Sequence, residues 1–346
     1  MEDPEGKLRR AGRRWSAVNA RCSFLENNVG KTFLGAVLRT NTQYLTSGIP
    51  VKEIVVVSGR DGAGKTSIVA SFAVLAERKA LADCDVEAAN LHLILSPTVE
   101  YAETFSRSGR ARIVSERCIA CGLCMQMCRF GAISSERIMG TVAHGSGKPF
   151  IHKLLCRGCG LCLRVCPEQA IDFEPCLEGQ MFVSKTDYGP MVHASLGIGM
   201  GNAGKLVAVV RKKIRSVARE RGLDQVIIDG SPGISFAVNE SIAGADLVLA
   251  VFEPSISGES DLLRLSELTA HFQIPLLVCV NKWDLNRELT GRIEELAMMH
   301  KVRPVGRIRY DQSVTHAMIA RKSVVEFARG GVADDIRNLW RKISES

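Results

Sequence analysis

Continuous apolar runs alternate with amphipathic stretches along most of this chain. The runs are rich in β-branched residues, as strands buried on both faces of a parallel sheet require. They lie at 54–58, 226–229, 246–252, 275–280 and 303–308. Helical spacing of apolar residues predicts helices at about 65–79, 204–221, 260–272, 287–300 and 334–343. The pattern predicts an α/β fold, a doubly wound and mostly parallel sheet with helices on both faces.

This alternation is interrupted between about residues 97 and 187. Two similar segments occur there, about 38 residues apart, and each holds four cysteines. The first run is Cys118, Cys121, Cys124 and Cys128; the second is Cys156, Cys159, Cys162 and Cys166. The C-x2-C-x2-C-x3-C spacing is that of bacterial ferredoxins with two [4Fe–4S] clusters. We therefore expect an inserted α+β domain of the bacterial ferredoxin type at 109–179.

In two-cluster ferredoxins the fourth cysteine of each run binds the cluster of the other run. This resemblance implies two interleaved ligand sets, Cys118, Cys121, Cys124 and Cys166 for one cluster and Cys156, Cys159, Cys162 and Cys128 for the other. Zinc is the alternative metal, but zinc ribbons take four ligands from two cysteine pairs, which eight cysteines in two runs fit poorly. Pro167 follows the second run, whereas Arg129 follows the first, and this difference is expected to tune one cluster.

A glycine-rich motif follows the first predicted strand. Residues 59–66 read Gly-Arg-Asp-Gly-Ala-Gly-Lys-Thr, and a predicted helix begins at the lysine. The backbone N–H groups of such a loop and the positive end of the helix dipole bind phosphate oxygens. Lys65 is expected to reach the β- and γ-phosphates, and Thr66 to bind Mg²⁺ through its hydroxyl. The predicted nucleotide-binding residues of this loop are Gly59, Gly62, Ala63, Gly64, Lys65, Thr66 and Ser67.

Acidic residues follow two further strands, at the edge where parallel sheets bind their ligands. Asp83 and Asp85 come after the second strand, and we expect Asp85 to orient the attacking water and Asp83 to assist the metal. Asp229 ends the strand at 226–229 and is predicted to bind in the magnesium shell. Gly233, in the turn that follows, is predicted to sense the γ-phosphate. For any one of these aspartates, a helix N-cap is the alternative role.

Asn281 and Asp284 follow a later strand, where side chains are suited to reading the edge of a base. These segments together resemble the MinD/ParA branch of P-loop ATPases, specifically the MinD-superfamily ATPases with an inserted ferredoxin domain. The resemblance extends from about residue 51 to 343, and its most specific parts are 83–95, 229–233 and the cysteine runs. It implies a MinD-like deviant Walker A site that binds ATP rather than GTP, with Mg²⁺. It also implies a homodimer that closes over two nucleotides, and an ATPase domain formed by 51–108 and 180–346.

The phosphate loop departs from this branch at two positions. A second lysine usually stands near the start of the loop and reaches the partner's nucleotide, but this chain has Arg60 there. Arginine can still donate two hydrogen bonds to a phosphate, so we expect Arg60 to keep a weakened catalytic role across the dimer. Asp61 replaces a usual glycine and is unfavourable beside phosphates unless it points away or holds Arg60.

Composition changes this picture mainly at the N-terminus. The chain has 346 residues and a formal net charge of +8, and residues 1–50 hold eight Lys and Arg against four acids. We expect 1–50 to be a disordered basic extension, with a nucleic-acid or membrane-surface arm as the alternative. A translation start at Val51 would remove it altogether.

The distribution of apolar residues and cysteines predicts the compartment. No apolar run approaches the roughly 18 residues that cross a bilayer, and no secretory leader follows Met1. Cluster thiolates need a reducing compartment. We therefore predict a cytoplasmic protein without stable membrane insertion and without a nucleic-acid partner.

Three functions are compatible with these features. The first is an ATPase whose nucleotide-driven dimer cycle gates electron transfer through two [4Fe–4S] clusters to a partner protein. The second is a nucleotide-controlled carrier or assembly factor for iron–sulfur clusters, although tightly held clusters are poor cargo. The third is positioning on a membrane or DNA, against which 334–343 offers no strongly basic amphipathic face.

Overall fold

The computed structural model describes residues 51–106, 109–135, 147–174, 177–197, 203–233 and 235–346. The extension predicted for 1–50 lies outside the described residues. The strands are β1 (Lys52–Ser58), β2 (Lys79–Asp83), β3 (Thr98–Phe105), β4 (Arg110–Ile113), β5 (Ile133–Ser134), β6 (Phe150–Ile151), β7 (Ile171–Glu174), β8 (Gly179–Thr186), β9 (Gly189–Leu196), β10 (Gln225–Pro232), β11 (Leu247–Phe252), β12 (Leu276–Asn281) and β13 (Arg303–Ile308).

The described helices follow the strands in chain order, with a 3₁₀ turn at Trp283–Leu285. They are α1 (Lys65–Leu75), α2 (Leu91–Leu95), α3 (Leu123–Gln126), α4 (Leu161–Val165), α5 (Ala203–Glu220), α6 (Phe236–Ile242), α7 (Ile256–His271), α8 (Arg287–Met299), α9 (Ser313–Ile319), α10 (Val324–Phe327) and α11 (Val332–Ser344). The helix predicted at 65–79 is shorter than expected. It ends at Leu75 because the chain turns at Arg78, where φ is 44°, and Lys79 already belongs to β2.

Nine strands form one sheet in the order β13-β12-β11-β1-β10-β2-β9-β8-β3. Neighbours from β13 to β9 are parallel, whereas β8 is antiparallel to both β9 and β3. The predicted mostly parallel sheet is therefore confirmed, with an antiparallel edge. From β1 the chain continues to β2 on one side of β1, and from β10 it crosses to β11 on the other side. Ligands of open α/β sheets bind where the strand order reverses in this way.

Both faces of the sheet are covered, because residues of a strand alternate between two cores. Ile54 and Val56 of β1 pack with α1 on one face, whereas Val55 and Val57 pack with α5 on the other. A strand buried in this way needs an unbroken apolar run, so the continuous runs of the sequence became the parallel strands.

The cysteine-rich insert lies between β3 and β8, so its predicted limits, 109 and 179, fall after the end of β3 and at the start of β8. It contains two small antiparallel pairs, β4 with β7 and β5 with β6. Its own core is small: the buried members are Ala111, Cys124, Ile133 and Ile171. The insert thus leaves and rejoins the large sheet through its antiparallel edge.

Candidate functional site

The phosphate loop connects β1 to α1 and is held from the end of β12. Asn281 donates from Nδ2 to the carbonyl of Ala63 at 2.8 Å, and Lys282 donates from Nζ to the carbonyl of Gly62 at 3.1 Å. Gly64 has φ of 87°, and a Cβ there would collide with the Asn281 amide. Because two successive carbonyls face these side chains, the N–H groups of the same peptide planes point the opposite way. The loop is thereby shaped as an anion cradle.

Lys65 and Thr66 begin α1 and both contact Asp229 within β10, a strand that continues to Pro232 rather than ending at 229 as predicted. The Lys65 Nζ lies 2.5 Å from Asp229 Oδ1, and the Thr66 hydroxyl donates to Asp229 Oδ2 at 2.7 Å. Burial by itself would lower the pKa of Lys65, but the attraction of Asp229 and Asp85 outweighs it and raises the pKa. Lys65 is therefore held as a cation, beside a hydroxyl and a carboxylate of the kind that bind Mg²⁺.

Asp85 completes this charged group from the loop that follows β2. Its carboxylate lies 3.8 Å from Lys65 Nζ. Burial raises the pKa of Asp85 to about 6, and Lys65 opposes the increase. A carboxyl group that titrates near neutral pH is suited to orient and deprotonate water.

Asp83 lies at the carboxyl end of β2, as predicted, and its role in assisting the metal stays a prediction. Its side chain is fully buried, and its oxygens accept the N–H groups of Asp85 at 3.0 Å and Leu91 at 3.1 Å. Burial and the nearby Asp229 raise the pKa of Asp83 well above its usual range. These two bonds hold the 85–91 loop, and Asp83, like Asp229, lies outside the lining of the cavity next to the phosphate loop.

A cavity of about 390 Å³ extends from the loop to the segment after β13. Asn281 lines it, whereas the predicted base-reading residue Asp284 does not. Asp284 instead accepts the N–H of Tyr310 at 2.7 Å and so positions the segment 309–311, which lines the cavity. The predicted cavity residues that do line it are Gly62, Ala63, Gly64, Lys65, Thr66, Ser67, Asp85 and Asn281.

The predicted residues Gly59, Arg60, Asp229 and Gly233 lie outside the lining of this cavity. Gly233 donates its N–H to the carbonyl of Ser58 at 2.9 Å, which brings the turn after β10 against the end of β1, next to Gly59. Arg60 is exposed and donates to the hydroxyl of Ser257, near the start of α7. Asp61 lines the cavity, so it does not serve to hold Arg60 in this arrangement.

The eight predicted cluster cysteines line two separate small cavities. We name them site 1, lined by Cys118, Cys121, Cys124 and Cys166, and site 2, lined by Cys128, Cys156, Cys159 and Cys162. These are the interleaved sets expected from the spacing. Among the described residues, no three His, Cys, Asp or Glu side chains are grouped closely enough to hold a single metal ion.

The environment of both sites fits an iron–sulfur group. The Ala132 N–H donates to Cys128 Sγ at 3.3 Å, and the Ala170 N–H donates to Cys166 Sγ at 3.2 Å. Such donors stabilise thiolate charge beside a cluster. Burial raises the pKa of Cys124, and it raises that of Cys162 to about 11, so binding of iron at these thiols must release protons.

Comparison with known proteins agrees with both parts of the chain. Residues 111–173 match the family of 4Fe–4S dicluster domains. The septum site-determining protein MinD of Pyrococcus horikoshii, complexed with Mg-ADP, superposes with a TM-score of 0.53 at 14% identity, over 86% of this chain and 97% of its own. The cell division ATPase MinD of Pyrococcus furiosus gives 0.51 at 15% identity, over 86% and 99%. The chain has the fold of the MinD/ParA P-loop ATPases, interrupted by a ferredoxin-type 4Fe–4S domain.

A relative of similar length carries the likeness across most of the sequence. The uncharacterized protein MJ0578 of Methanocaldococcus jannaschii is 27% identical over 305 residues, which cover 85% of this chain and 97% of that protein. No helix within the described ranges is both long and apolar enough to cross a membrane. The fold and the domain match support a nucleotide-binding iron–sulfur protein.

Sequence reasoning missed Lys282 as part of the site. Lys282 has φ of 56°, lines the cavity, bonds to the phosphate loop and forms an ion pair with Glu253, just after β11. The signal in the sequence that could have identified Lys282 was its position next to Asn281, a predicted site residue. Only the sheet order, which places β12 two strands from β1, shows that its side chain reaches the loop.

Proposed function

We propose that this chain is an ATPase in which a nucleotide-driven dimer cycle controls electron transfer through two [4Fe–4S] clusters to a partner protein. Lys65 and the loop amides would hold the phosphates, and Thr66 with Asp229 would hold Mg²⁺. The two cysteine sets would each hold one cluster, and the clusters supply one-electron chemistry when bound. ATP rather than GTP is favoured by the MinD fold and by the Mg-ADP complex of the Pyrococcus horikoshii protein.

One observation supports the proposed coupling between nucleotide binding and the cluster domain. The loop that holds Asp85 ends at α2, and only two residues separate α2 from β3, the strand that leads into the insert. Asp83 binds both ends of that loop through Asp85 and Leu91. A γ-phosphate that attracts Lys65 away from Asp85 would therefore act on a segment continuous with the cluster domain.

The test is the rate at which an acceptor oxidises the reduced clusters in the presence of ATP, ADP or no nucleotide. We expect ATP and ADP to give different rates, and the Lys65→Ala variant to give one rate throughout. Equal rates in the wild type would remove the proposed gating. Transfer of iron to an apo-protein without net redox change would support the carrier function instead.

Arg60 provides a test of the dimer. Arg60 is exposed, lies outside the lining of its own protomer's cavity and donates to Ser257, which favours a partner's nucleotide as the phosphate it would contact. We expect Arg60→Ala to reduce ATP turnover at least tenfold while leaving ATP affinity within about twofold, and Arg60→Lys to retain turnover. Equal loss of binding and turnover would argue against a role in trans.

A further inference from the structure

The two halves of the cluster domain repeat each other's backbone contacts. The Val114 N–H donates to the carbonyl of Ala170 at 2.8 Å, and the His152 N–H donates to the carbonyl of Ala132 at 2.8 Å. The N–H donors to sulfur are also matched, at 3.3 and 3.2 Å. Each site has one exposed cysteine, Cys121 in site 1 and Cys159 in site 2. Backbone frame, sulfur hydrogen bonds and exposure are therefore similar at the two sites.

The charged residues around the sites are not similar. Arg157 lines site 2, whereas Glu168 lines site 1. At the corresponding position of the other half, Arg157 is replaced by Ile119 and Glu168 by Phe130. The contrast therefore places a cation at one site and an anion at the other.

The flanking residues increase this difference. Lys153 stands three residues before Cys156, the first cysteine of the second run. Arg129 directly follows Cys128, the cysteine of site 2 that comes from the first run. The corresponding residues of site 1 are Ser115 and Pro167. Beside site 1, Glu116 and Arg117 are opposite in sign, Arg117 is paired with Asp172 at 2.6 Å, and Lys148 donates from Nζ to the carbonyl of Ser115 at 2.6 Å. The residues around site 2 thus carry more positive charge than those around site 1.

Reduction of a cluster adds one negative charge to a group that already includes four thiolates. Nearby cations stabilise this reduced form and nearby anions destabilise it, so cations raise the reduction potential. Resting on the proposed presence of two clusters, we propose that site 2 has the higher reduction potential. A single electron from a one-electron donor, which is itself oxidised, then comes to rest at site 2. Site 1 is the electron donor to site 2 within the chain.

The experiment is a reductive titration of the full-length, anaerobically purified protein, without nucleotide, followed by electron paramagnetic resonance and absorbance. Dithionite with redox mediators is the reductant, and iron and sulfide are measured first. We expect two midpoint potentials. Arg157→Ile should lower the higher one, and Glu168→Gln should raise the lower one. Arg157→Lys should leave both at the wild-type values, as should Arg341→Gln, a control on α11 in the nucleotide fold.

Salt gives a second readout. Because Arg157 and Glu168 are exposed, ionic strength should screen them and bring the two midpoints closer together. Coincident midpoints at low salt, or an Arg157→Ile variant that shifts the lower midpoint, would overturn the inference. Fewer than about eight irons per chain would contradict the two clusters themselves and the inference with them. With about eight irons per chain, the titration tests only the order of the two reduction potentials, because it is carried out without nucleotide and does not depend on ATP gating.

Discussion

The nucleotide fold and the cluster domain are stabilised in different ways. The nucleotide fold packs helices against both faces of a nine-stranded sheet, with large buried cores on each side. In the described part of the cluster domain the core cluster is small, with Ala111, Cys124, Ile133 and Ile171 as its buried members, and the cysteines line the cavities around it. One region builds its site from a self-sufficient core. The other must take much of its stability from the group it binds.

The largest expected effect follows from removing that group. Chelation of iron should unfold the cluster domain, at about 109–174, and leave the nucleotide fold intact. Limited proteolysis with mass analysis should locate new cleavages within the insert alone, while ATP affinity, measured by calorimetry, stays within about twofold. Equal protease resistance before and after chelation would contradict the proposed dependence.

The buried ion pair of the phosphate site should give the next effect. Asp229 is fully buried, so Lys65→Ala leaves its carboxylate without a counter-charge and should cost about 3–5 kcal/mol in the free energy of unfolding. Urea unfolding of the nucleotide-free protein measures it. The double variant Lys65→Met with Asp229→Asn should recover part of the loss, and cluster absorbance should be unchanged. An unfolding free energy equal to wild type would show that the pair is already solvated.

Asp85 should make ATP turnover dependent on pH. The pKa of Asp85 is raised to about 6 by burial; Lys65 lowers it, and Asp229 and Asp61 raise it. If the carboxylate orients the attacking water, turnover should fall as the pH decreases through about 6, because protonation removes the acceptor. Asp85→Asn should lower turnover about a hundredfold. The remaining turnover of that variant should no longer fall as the pH decreases through about 6. If it still falls, the titrating group is a residue other than Asp85.

Removing the contact between Lys282 and the phosphate loop should give the smallest effect. Lys282→Met removes one hydrogen bond to the Gly62 carbonyl and one partly exposed ion pair. We expect a loss of about 1–1.5 kcal/mol in ATP binding, or about tenfold in affinity. Calorimetric titration measures it, with Lys301→Met, at an exposed turn residue just beyond the end of α8, as the matched control. Unchanged affinity in Lys282→Met would mean that Asn281 alone shapes the loop.

The sequence predicted the features that depend on short spacings. Continuous β-branched runs became the parallel strands, because a strand covered on both faces has no polar position. Glycines and a lysine between a strand and a helix located the phosphate loop, and the cysteine spacing predicted which residues meet at each cluster cavity. The helix at 65–79 was drawn too long because periodicity does not record where the chain must turn to reach β2.

The roles at the strand ends were less predictable from sequence. Asp83 and Asp229 both come directly after apolar residues of their strands, yet one bonds to its own loop and the other to Lys65 and Thr66. Asp284, expected to read the base, instead supports Tyr310. A side chain near the carboxyl end of a strand can turn toward its own loop or toward a neighbouring strand. Which of the two it contacts depends on residues far away in the chain.

The sequence alone therefore determined the chemistry that is local: a phosphate loop, two interleaved cysteine sets and a parallel sheet. Tertiary structure decided what each element is next to. It placed β1 between β10 and β11, brought Asn281 and Lys282 under the loop, and joined the cluster domain to the antiparallel edge beside the Asp85 loop. The physical reason is that backbone geometry is set by neighbouring residues, whereas strand order and site assembly depend on burial of surfaces that the sequence separates.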